Sequence, residues 1–192
     1  MYQISPPSAT RGLGPGGGIF LIVATVRPYE DRDKEAVIDA CKTCFDEYGF
    51  TWEPVGYCRD IYNVPEFYDH FWVGEVDGEV VGCGGALFFP TIPGTVGEIV
   101  DHEGDRRIAG TDCEVVRLYV HPRGRRKGVG SSIFDTILAT TKEKNCKHLE
   151  IWSDTNLRDA HRMYQRYGAR MIGERICPPP DLMPEFGMIL KL

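Results

Sequence analysis

From Ile19 to Val26 the chain reads IFLIVATV, a β-branched run that predicts a strand. The period then changes. Between about Asp31 and Tyr48, residues Val37, Cys41, Cys44, Phe45 and Tyr48 fall on one face of a helix, and Gly49 supplies its stop. A second helical stretch is expected near Val64 to His70. Two strands follow, Phe71 to Val76 and Glu79 to Phe89, joined by Asp77-Gly78, a dipeptide suited to the positive φ angles of a two-residue hairpin turn. Residues 90 to about 112 carry Pro, Gly and acidic positions without periodicity and are expected to form a long excursion.

Regular patterning resumes at Cys113 to Val120 (CEVVRLYV), a strand, followed by a Gly/Arg-rich turn and a helix from about Gly128 to Lys144 that buries Ile133, Phe134, Ile137 and Leu138. His148 to Trp152 is the next strand, so strand, helix and strand form a right-handed parallel crossover. A helix from about Leu157 to Tyr167 ends at Gly168, and two last strands, Arg170 to Ile176 and Phe186 to Leu192, flank the loop CPPPDLMPEF. The pattern predicts an α/β (α+β) fold, a mixed sheet with helices on both faces. Residues 1–18, rich in Gly, Pro and Ser, are expected to be a flexible leader to a single domain over 19–192. Gly12, Gly14 and Gly17 spell G-x-G-x-x-G, but they precede a strand and enclose Pro15, which excludes the dinucleotide-binding context.

Composition narrows the function classes. The 192 residues suit one domain, and 42% apolar with 26% charged residues is ordinary for a globular chain. With 22 basic and 28 acidic residues the net charge of −6 repels a nucleic acid backbone, so no nucleic acid partner is expected. The longest apolar run is far shorter than the roughly 20 residues of a membrane span, and neither a membrane span nor a secretion signal is expected. Seven scattered cysteines, with Cys41 and Cys44 on a helix stripe, point to core packing in a reducing, cytoplasmic compartment. The five histidines are dispersed, and no metal site is expected.

Chemistry concentrates in VHPRGRRKGVGSS, Val120 to Ser132, where glycines and cations lie between a strand and a helix start. Gly128 and Gly130 permit close backbone approach, and the helix start offers free N–H groups and a positive dipole end to an anion. The spacing is not that of a nucleotide-hydrolysing P-loop. It is R-x-x-G-x-G, through Arg125, Gly128 and Gly130, preceded by Leu118, Tyr119, Val120, His121 and Pro122. Here the sequence resembles the GNAT superfamily of acetyl-CoA-dependent N-acetyltransferases. The resemblance implies a mostly antiparallel seven-stranded sheet with a central βαβ crossover. It implies that backbone N–H groups of Arg125, Arg126, Lys127, Gly128, Val129, Gly130 and Ser131 hold the pyrophosphate, and that Leu118, Tyr119 and Val120, on a strand splayed from its neighbour, bond the pantetheine arm. Arg123 or Lys127 is placed either at the ribose phosphate or simply in solvent.

Ala160, Tyr164 and Gly168 recur every four residues along one helix face and resemble the family's A-x-x-x-Y-x-x-x-G-F segment. Ala169 departs from it where an aromatic is usual. Asn156 stands one residue farther from Ala160 than in the family, so Ser153, Asp154 and Asn156 are equally readable as helix caps. The resemblance makes Tyr164 the acid that protonates the leaving thiolate, uphill by roughly 2 kcal/mol for ordinary pKa values; a hydrogen-bonded core tyrosine is the structural alternative. A base is needed because an alkylamine has roughly one free lone pair per 2,500 molecules at pH 7. By the resemblance, Glu114 is the candidate, since it lies fourteen positions ahead of Gly128, the offset of the catalytic glutamate in several enzymes of the family; on an alternating strand it shares a face with Val116 and Leu118, where burial would raise its pKa. An arginine-paired glutamate or a ligand for the substrate's ammonium group are its other readings.

The acceptor is expected among residues 50–68, 91–112 and 177–186. Aromatic Trp52, Tyr57, Tyr62, Phe67 and Tyr68, with acidic Glu98, Asp101, Glu103 and Asp105, would suit a cationic amine. The expected function is transfer of an acetyl group from acetyl-CoA to a primary amine in a ternary complex, without metal. A transferase of another acyl-CoA, an acyl-CoA-binding sensor and an interaction module are the alternatives. The resemblance also implies a homodimer paired through the last hairpin.

Overall fold

The computed structural model describes residues 10–13, 19–22, 24–177, 179 and 182–192. In chain order the first elements are β1 (Thr10–Leu13), β2 (Ile19–Ile22), β3 (Thr25–Pro28), α1 (Lys34–Tyr48), α2 (Arg59–Tyr62), α3 (Val64–Phe67), β4 (Phe71–Val76) and β5 (Glu79–Phe88). They are followed by β6 (Ile99–His102), β7 (Asp105–Ile108), β8 (Cys113–Val120), α4 (Val129–Glu143), β9 (His148–Asp154), α5 (Arg158–Arg166), β10 (Arg170–Ile176) and β11 (Pro184–Lys191).

The main sheet has seven strands in the order β10-β11-β9-β8-β5-β4-β3. All neighbours are antiparallel except β8 and β9, whose parallel pairing is confined to Cys113 with Leu149 and Glu114 with Glu150. The strand, α4 and strand unit is the expected parallel crossover. Among the described residues no helix is long and apolar enough to cross a membrane.

Helices α4 and α5 cover one face. Ile133, Phe134 and Ile137 of α4, with Met163 and Tyr164 of α5, join Trp72, Val115, Leu149, Ile151 and Met188 in the larger core. Close packing of α4 depends on missing side chains: a Cβ on Gly74 would lie 2.6 Å from Val129 Cγ1, and one on Gly84 2.9 Å from Ile133 Cγ2. On the opposite face, Val37 and Cys41 of α1 pack with Ile61, Val64, Phe71, Val73 and Cys83. Cys41 and Cys44 are thus buried as core residues.

Three expectations are corrected: the single strand over Ile19 to Val26, the long excursion and the alternation of β8. The run Ile19 to Val26 is not one strand: β2 pairs with β1, whereas β3 joins the edge of the main sheet beside β4. Apolar β-branched residues favour extension without specifying a partner. Residues 10–13, within the segment expected as a leader, form β1; residues 1–9 and 14–18 of that segment, with Gly14 and Gly17, lie outside the described residues.

The excursion 90–112 is not structureless, because it folds into the β6–β7 hairpin. Its turn places Glu103 at φ 52° and Gly104 at φ 87°, the same left-handed pair that Asp77 and Gly78 adopt between β4 and β5. Glutamate at the first position conceals the signal that Asp-Gly displays. The hairpin lies against the sheet: Ile99 Cδ1 stands 2.7 Å from where a Cβ on Gly173 of β10 would be.

Finally, β8 does not alternate throughout. Gly85 pairs with Val116 but Cys83 with Tyr119, so β8 holds one extra residue, and Arg117 takes φ 52° within this bulge. The bulge turns Leu118 to the α4 face, beside Ile133 at Gly84, while Val116 stays on the Phe71 face. Glu114 therefore shares a face with Val116 and not with Leu118.

Candidate active site

After Glu114, β8 parts from β9: β9 continues along β11 to Asp154, and from Val115 to Val120 the edge of β8 that faces β9 has no strand partner among the described residues. The chain beyond Val120 turns through Arg126, at φ 61°, into Gly128, the αL N-cap of α4 at φ 83°. Ser132 N–H donates to Gly128 O at 2.9 Å and closes the first turn, leaving the N–H groups of Val129, Gly130 and Ser131 as the free end of a 15-residue helix. One turn in, Ser132 Oγ is buried without a hydrogen-bond partner among the described residues.

This helix end opens on a cleft of about 580 Å³. Leu118, Tyr119, Val120, Arg125, Arg126, Gly128, Val129, Gly130 and Ser131 all line it, and Lys127 does not. Arg162 and Arg166 of α5 complete its cationic wall, and Asp159, ion-paired with Arg162, is its single carboxylate among the described residues. Free N–H groups and guanidinium groups with so little opposing charge fit a polyphosphate. Arg125 is partly committed elsewhere: its guanidinium pairs with Glu47 at 2.8 and 2.5 Å, and its Nε donates to Val120 O at 3.1 Å, tying the loop to α1. Arg123 faces Asp39 at 3.5 Å.

A second, narrow cavity of about 90 Å³ occupies the gap itself. Ala160 and Tyr164 reach it from the α5 side, and Tyr57, Trp152, Cys177 and Glu185 line it as well. Leu118, Tyr119, Leu157, Ala160 and Tyr164 border both spaces, so the cleft and the cavity meet at them. Tyr164 packs edge-on against Phe134 with ring centroids 5.2 Å apart, and its hydroxyl has no protein partner among the described residues. Burial pushes its pKa up, which keeps the phenol protonated and makes proton release steeper than for an ordinary tyrosine. Asp154 Oδ1 accepts from Asn156 N–H at 2.8 Å, and Ser153 Oγ meets His161 Nε2 at 3.1 Å; both act as local turn and helix contacts.

Glu114 lines neither space. It lies at the root of the gap, where burial raises its pKa to about 7, opposed by the charge of Arg107 and reinforced by that of Glu150. Arg107 Nη2 donates to it at 3.2 Å. Its neighbour Glu150, fully buried, accepts from Arg107 at 2.7 Å, Ile108 N–H at 2.8 Å, Thr111 Oγ1 at 3.2 Å and Trp152 Nε1 at 2.6 Å. Glu185 does line the narrow cavity; its Oε2 accepts from Arg175 Nε at 2.7 Å, and burial raises its pKa too.

Of the expected aromatic wall, Tyr57 faces the cavity with Phe50 and Trp152, whereas Trp52, Tyr62, Phe67 and Tyr68 do not line it. Trp52 and Tyr62 instead bond each other at 3.2 Å, and Tyr68 donates to Asp60. Asp60 also holds Arg117, which lines the cavity, at 2.8 and 3.0 Å. Glu98, Asp101, Glu103 and Asp105 lie off the cavity. The sequence reading missed Arg107, Arg117, Trp152, Arg162, Arg166 and Glu185: Arg107 and Arg117 meet partners 43 and 57 positions away, and the other four belong to no motif that spacing marks. Asp112, Cys113 and Cys146 bring possible metal-binding atoms within 4.8 Å of one another, but both Asp112 oxygens already accept from Lys147 N–H, and Oδ1 also accepts from His148 N–H.

A splayed parallel pair, a glycine-capped helix end beside it and a tyrosine where the two spaces meet thus form one connected candidate site. The model of the acetyltransferase (GNAT) family matches residues 31–169, and the chain belongs to that family. It is 25% identical over 144 residues to the uncharacterized N-acetyltransferase YjgM of Escherichia coli K12, covering 71% of this chain and 76% of that one. A GNAT-family acetyltransferase of Staphylococcus aureus Mu50 superposes with a TM-score of 0.66 at 17% identity, over 88% of this chain and 99% of the other. The yncA protein of Salmonella typhimurium, solved with its cofactor acetyl-CoA, gives 0.62 at 14% identity over 88% and 94%. At these identities the two structures share the fold.

Proposed function

We propose that this acyltransferase moves an acetyl group from acetyl-CoA to a primary amine, with both substrates bound together. The observation that carries the reading is that the phosphate-suited cleft and the narrow cavity meet at Tyr164 through the β8–β9 gap. In this reading the N–H groups from Arg125 to Ser131 hold the pyrophosphate, with Arg126 as a mobile cation and Lys127 contributing only its backbone. The unpartnered edge of β8 at Leu118, Tyr119 and Val120 bonds the pantetheine arm, and its N–H groups polarise the thioester carbonyl. The amine nitrogen attacks the carbonyl carbon, the C–S bond breaks, and Tyr164 gives its proton to the thiolate. Glu114 takes the proton from the ammonium group through a water molecule, because it stands back from the cavity.

One observation favours a second choice of base. Glu185, unlike Glu114, lines the cavity beside Tyr164 and has one carboxylate oxygen without a protein partner among the described residues. The aromatic rings of Phe50, Tyr57 and Trp152 with this carboxylate suit a cationic acceptor. Two copies are proposed to pair through the β10–β11 hairpin, where β10 is a sheet edge with Met171 and Ile176 exposed.

The test is thermal unfolding with and without acetyl-CoA, on wild type and Gly128→Glu. A hundredfold excess over Kd adds about 2.7 kcal/mol of stability to wild type. The variant, with a carboxylate and a non-glycine residue at φ 83°, loses that gain. No shift in folded wild type would overturn the reading and move the interaction module to first place.

A further inference from the structure

The long excursion carries a residue that the reaction scheme does not yet use. We infer that Arg107 is a positioning residue for catalysis: by sharing one guanidinium between Glu150 and Glu114, it keeps the Glu114 carboxylate ionisable near neutral pH. This rests on the reading of Glu114 as the base.

The geometry is asymmetric. Arg107 Nε donates to both oxygens of Glu150, at 3.2 and 3.1 Å, and Nη2 to Glu150 Oε2 at 2.7 Å. Its guanidinium also lies over the Phe89 ring, 4.5 Å from the centroid. Glu150 is fixed independently by Ile108 N–H, Thr111 and Trp152. It therefore anchors Arg107, and Glu114 receives only the Nη2 donor, at 3.2 Å. The hairpin is the device that delivers this cation, since Ile108, the residue after Arg107, is itself pinned to Glu150.

The charges facing Glu114 are Arg107 from β7, Glu150 from β9, Arg175 from β10 and Glu185 from β11; its partner across on β5 is the uncharged Leu87. Arg175 is paired with Glu185 at 2.7 Å and reaches Asp105 at 3.5 Å. The two guanidinium groups are thus matched by Glu150 and Glu185, and Glu114 is the additional carboxylate. Burial and the two other glutamates oppose its ionisation, and Arg107 is the largest influence in its favour. Removing Arg107 while keeping the site dry leaves Glu114 protonated at neutral pH and unable to accept a proton.

The experiment is a carboxyl-detected ¹³C NMR titration of the full chain labelled in glutamate, with the Glu114 signal assigned by its loss in Glu114→Gln. The expected wild-type midpoint is near 7. Arg107→Met raises it by about one unit or more, and Arg107→Lys, which keeps a cation, holds it near the wild-type value. Because Arg107→Met leaves Glu150 buried without its cation, Arg107→Met/Glu150→Gln is titrated as well. A smaller upward shift is expected there, since one opposing carboxylate has gone too. A midpoint that stays in place or falls in both folded variants that lose the cation, Arg107→Met and Arg107→Met/Glu150→Gln, would overturn the inference and leave Arg107 as a brace for the hairpin.

Kinetics separate this from the underlying reading. With the best amine from a panel, the acid limb of kcat/KM moves with the NMR midpoint if Glu114 is the base. A shifted midpoint with an unmoved limb upholds the control of Glu114 by Arg107 and transfers the base to Glu185. The titration decides the inference even if no amine in the panel is acetylated.

Discussion

The two sides of the β8–β9 gap are built by different means. On the cleft side the binding groups are backbone N–H groups at the end of α4, supported by arginines within one loop and one helix. On the far side the polar groups are side chains paired between elements far apart in the chain, with Arg107 bound to Glu150 43 positions away and Arg117 to Asp60 57 positions away. A site made of backbone tolerates any side chain that leaves the backbone shape intact. A site made of buried charge pairs fails when either partner is lost, because the remaining charge stays desolvated.

The largest effect expected from this contrast is at Glu150. Glu150→Ala leaves Arg107, Trp152 Nε1 and Ile108 N–H without their shared acceptor and costs about 3–5 kcal/mol in urea unfolding. Loss of well under about 1 kcal/mol would show that the hairpin holds its place without Glu150.

Glu114 gives a smaller effect with a definite pH signature. Its pKa is raised from 4.5 to about 7 in the folded chain. Below pH 4.5 both states hold the proton. Between 4.5 and 7 the unfolded chain releases it while the folded chain keeps it, so stability falls as pH rises and levels off above 7. Glu114→Gln cannot titrate, so relative to wild type it gains up to about 3 kcal/mol between pH 4 and 8. Glu185, whose pKa is also raised and whose charge faces Glu114, adds a slope of its own, so the same comparison in a Glu185→Gln background isolates Glu114. A flat difference across this range would remove the raised ionisation of Glu114 from the account.

The same contrast explains what was legible in the sequence. The strand at Cys113 to Val120, the turn into α4 and the face shared by Ala160 and Tyr164 follow from local periodicity and glycine placement, and they stand where the pattern put them. The β6–β7 hairpin was hidden by Glu103 at a left-handed position, and the face of Leu118 by a bulge at Arg117. The long-range ion pairs have no local signature, because the residues that make them meet only after the hairpin and α2 have packed on the sheet.

Chemistry at the junction is the next test. Tyr164→Phe removes a hydroxyl that has no protein partner among the described residues and leaves the Phe134 ring contact in place, so the fold is unaffected. The expected result is a roughly tenfold to hundredfold fall in kcat, at the low end of acid–base effects because a thiolate leaves readily. Stabilisation by acetyl-CoA stays as in wild type. An unchanged kcat would make Tyr164 a wall of the cavity only.

The smallest effect is expected at Lys127, and it discriminates most finely between loop and lining. Lys127 sits within the loop between Arg126 and Gly128, yet it alone among the residues from Arg125 to Ser131 lies off the cleft. If the loop binds through its backbone, Lys127→Ala changes acetyl-CoA affinity by less than about 0.5 kcal/mol, as for an ordinary surface substitution. Arg162→Ala, far away in sequence but on the cleft wall, weakens binding more, and increasingly so as salt is lowered. Calorimetric titration of both variants at two salt concentrations separates the two. A Lys127 effect as large as that of Arg162 would mean that charge near the loop, and not position on the cleft, governs binding.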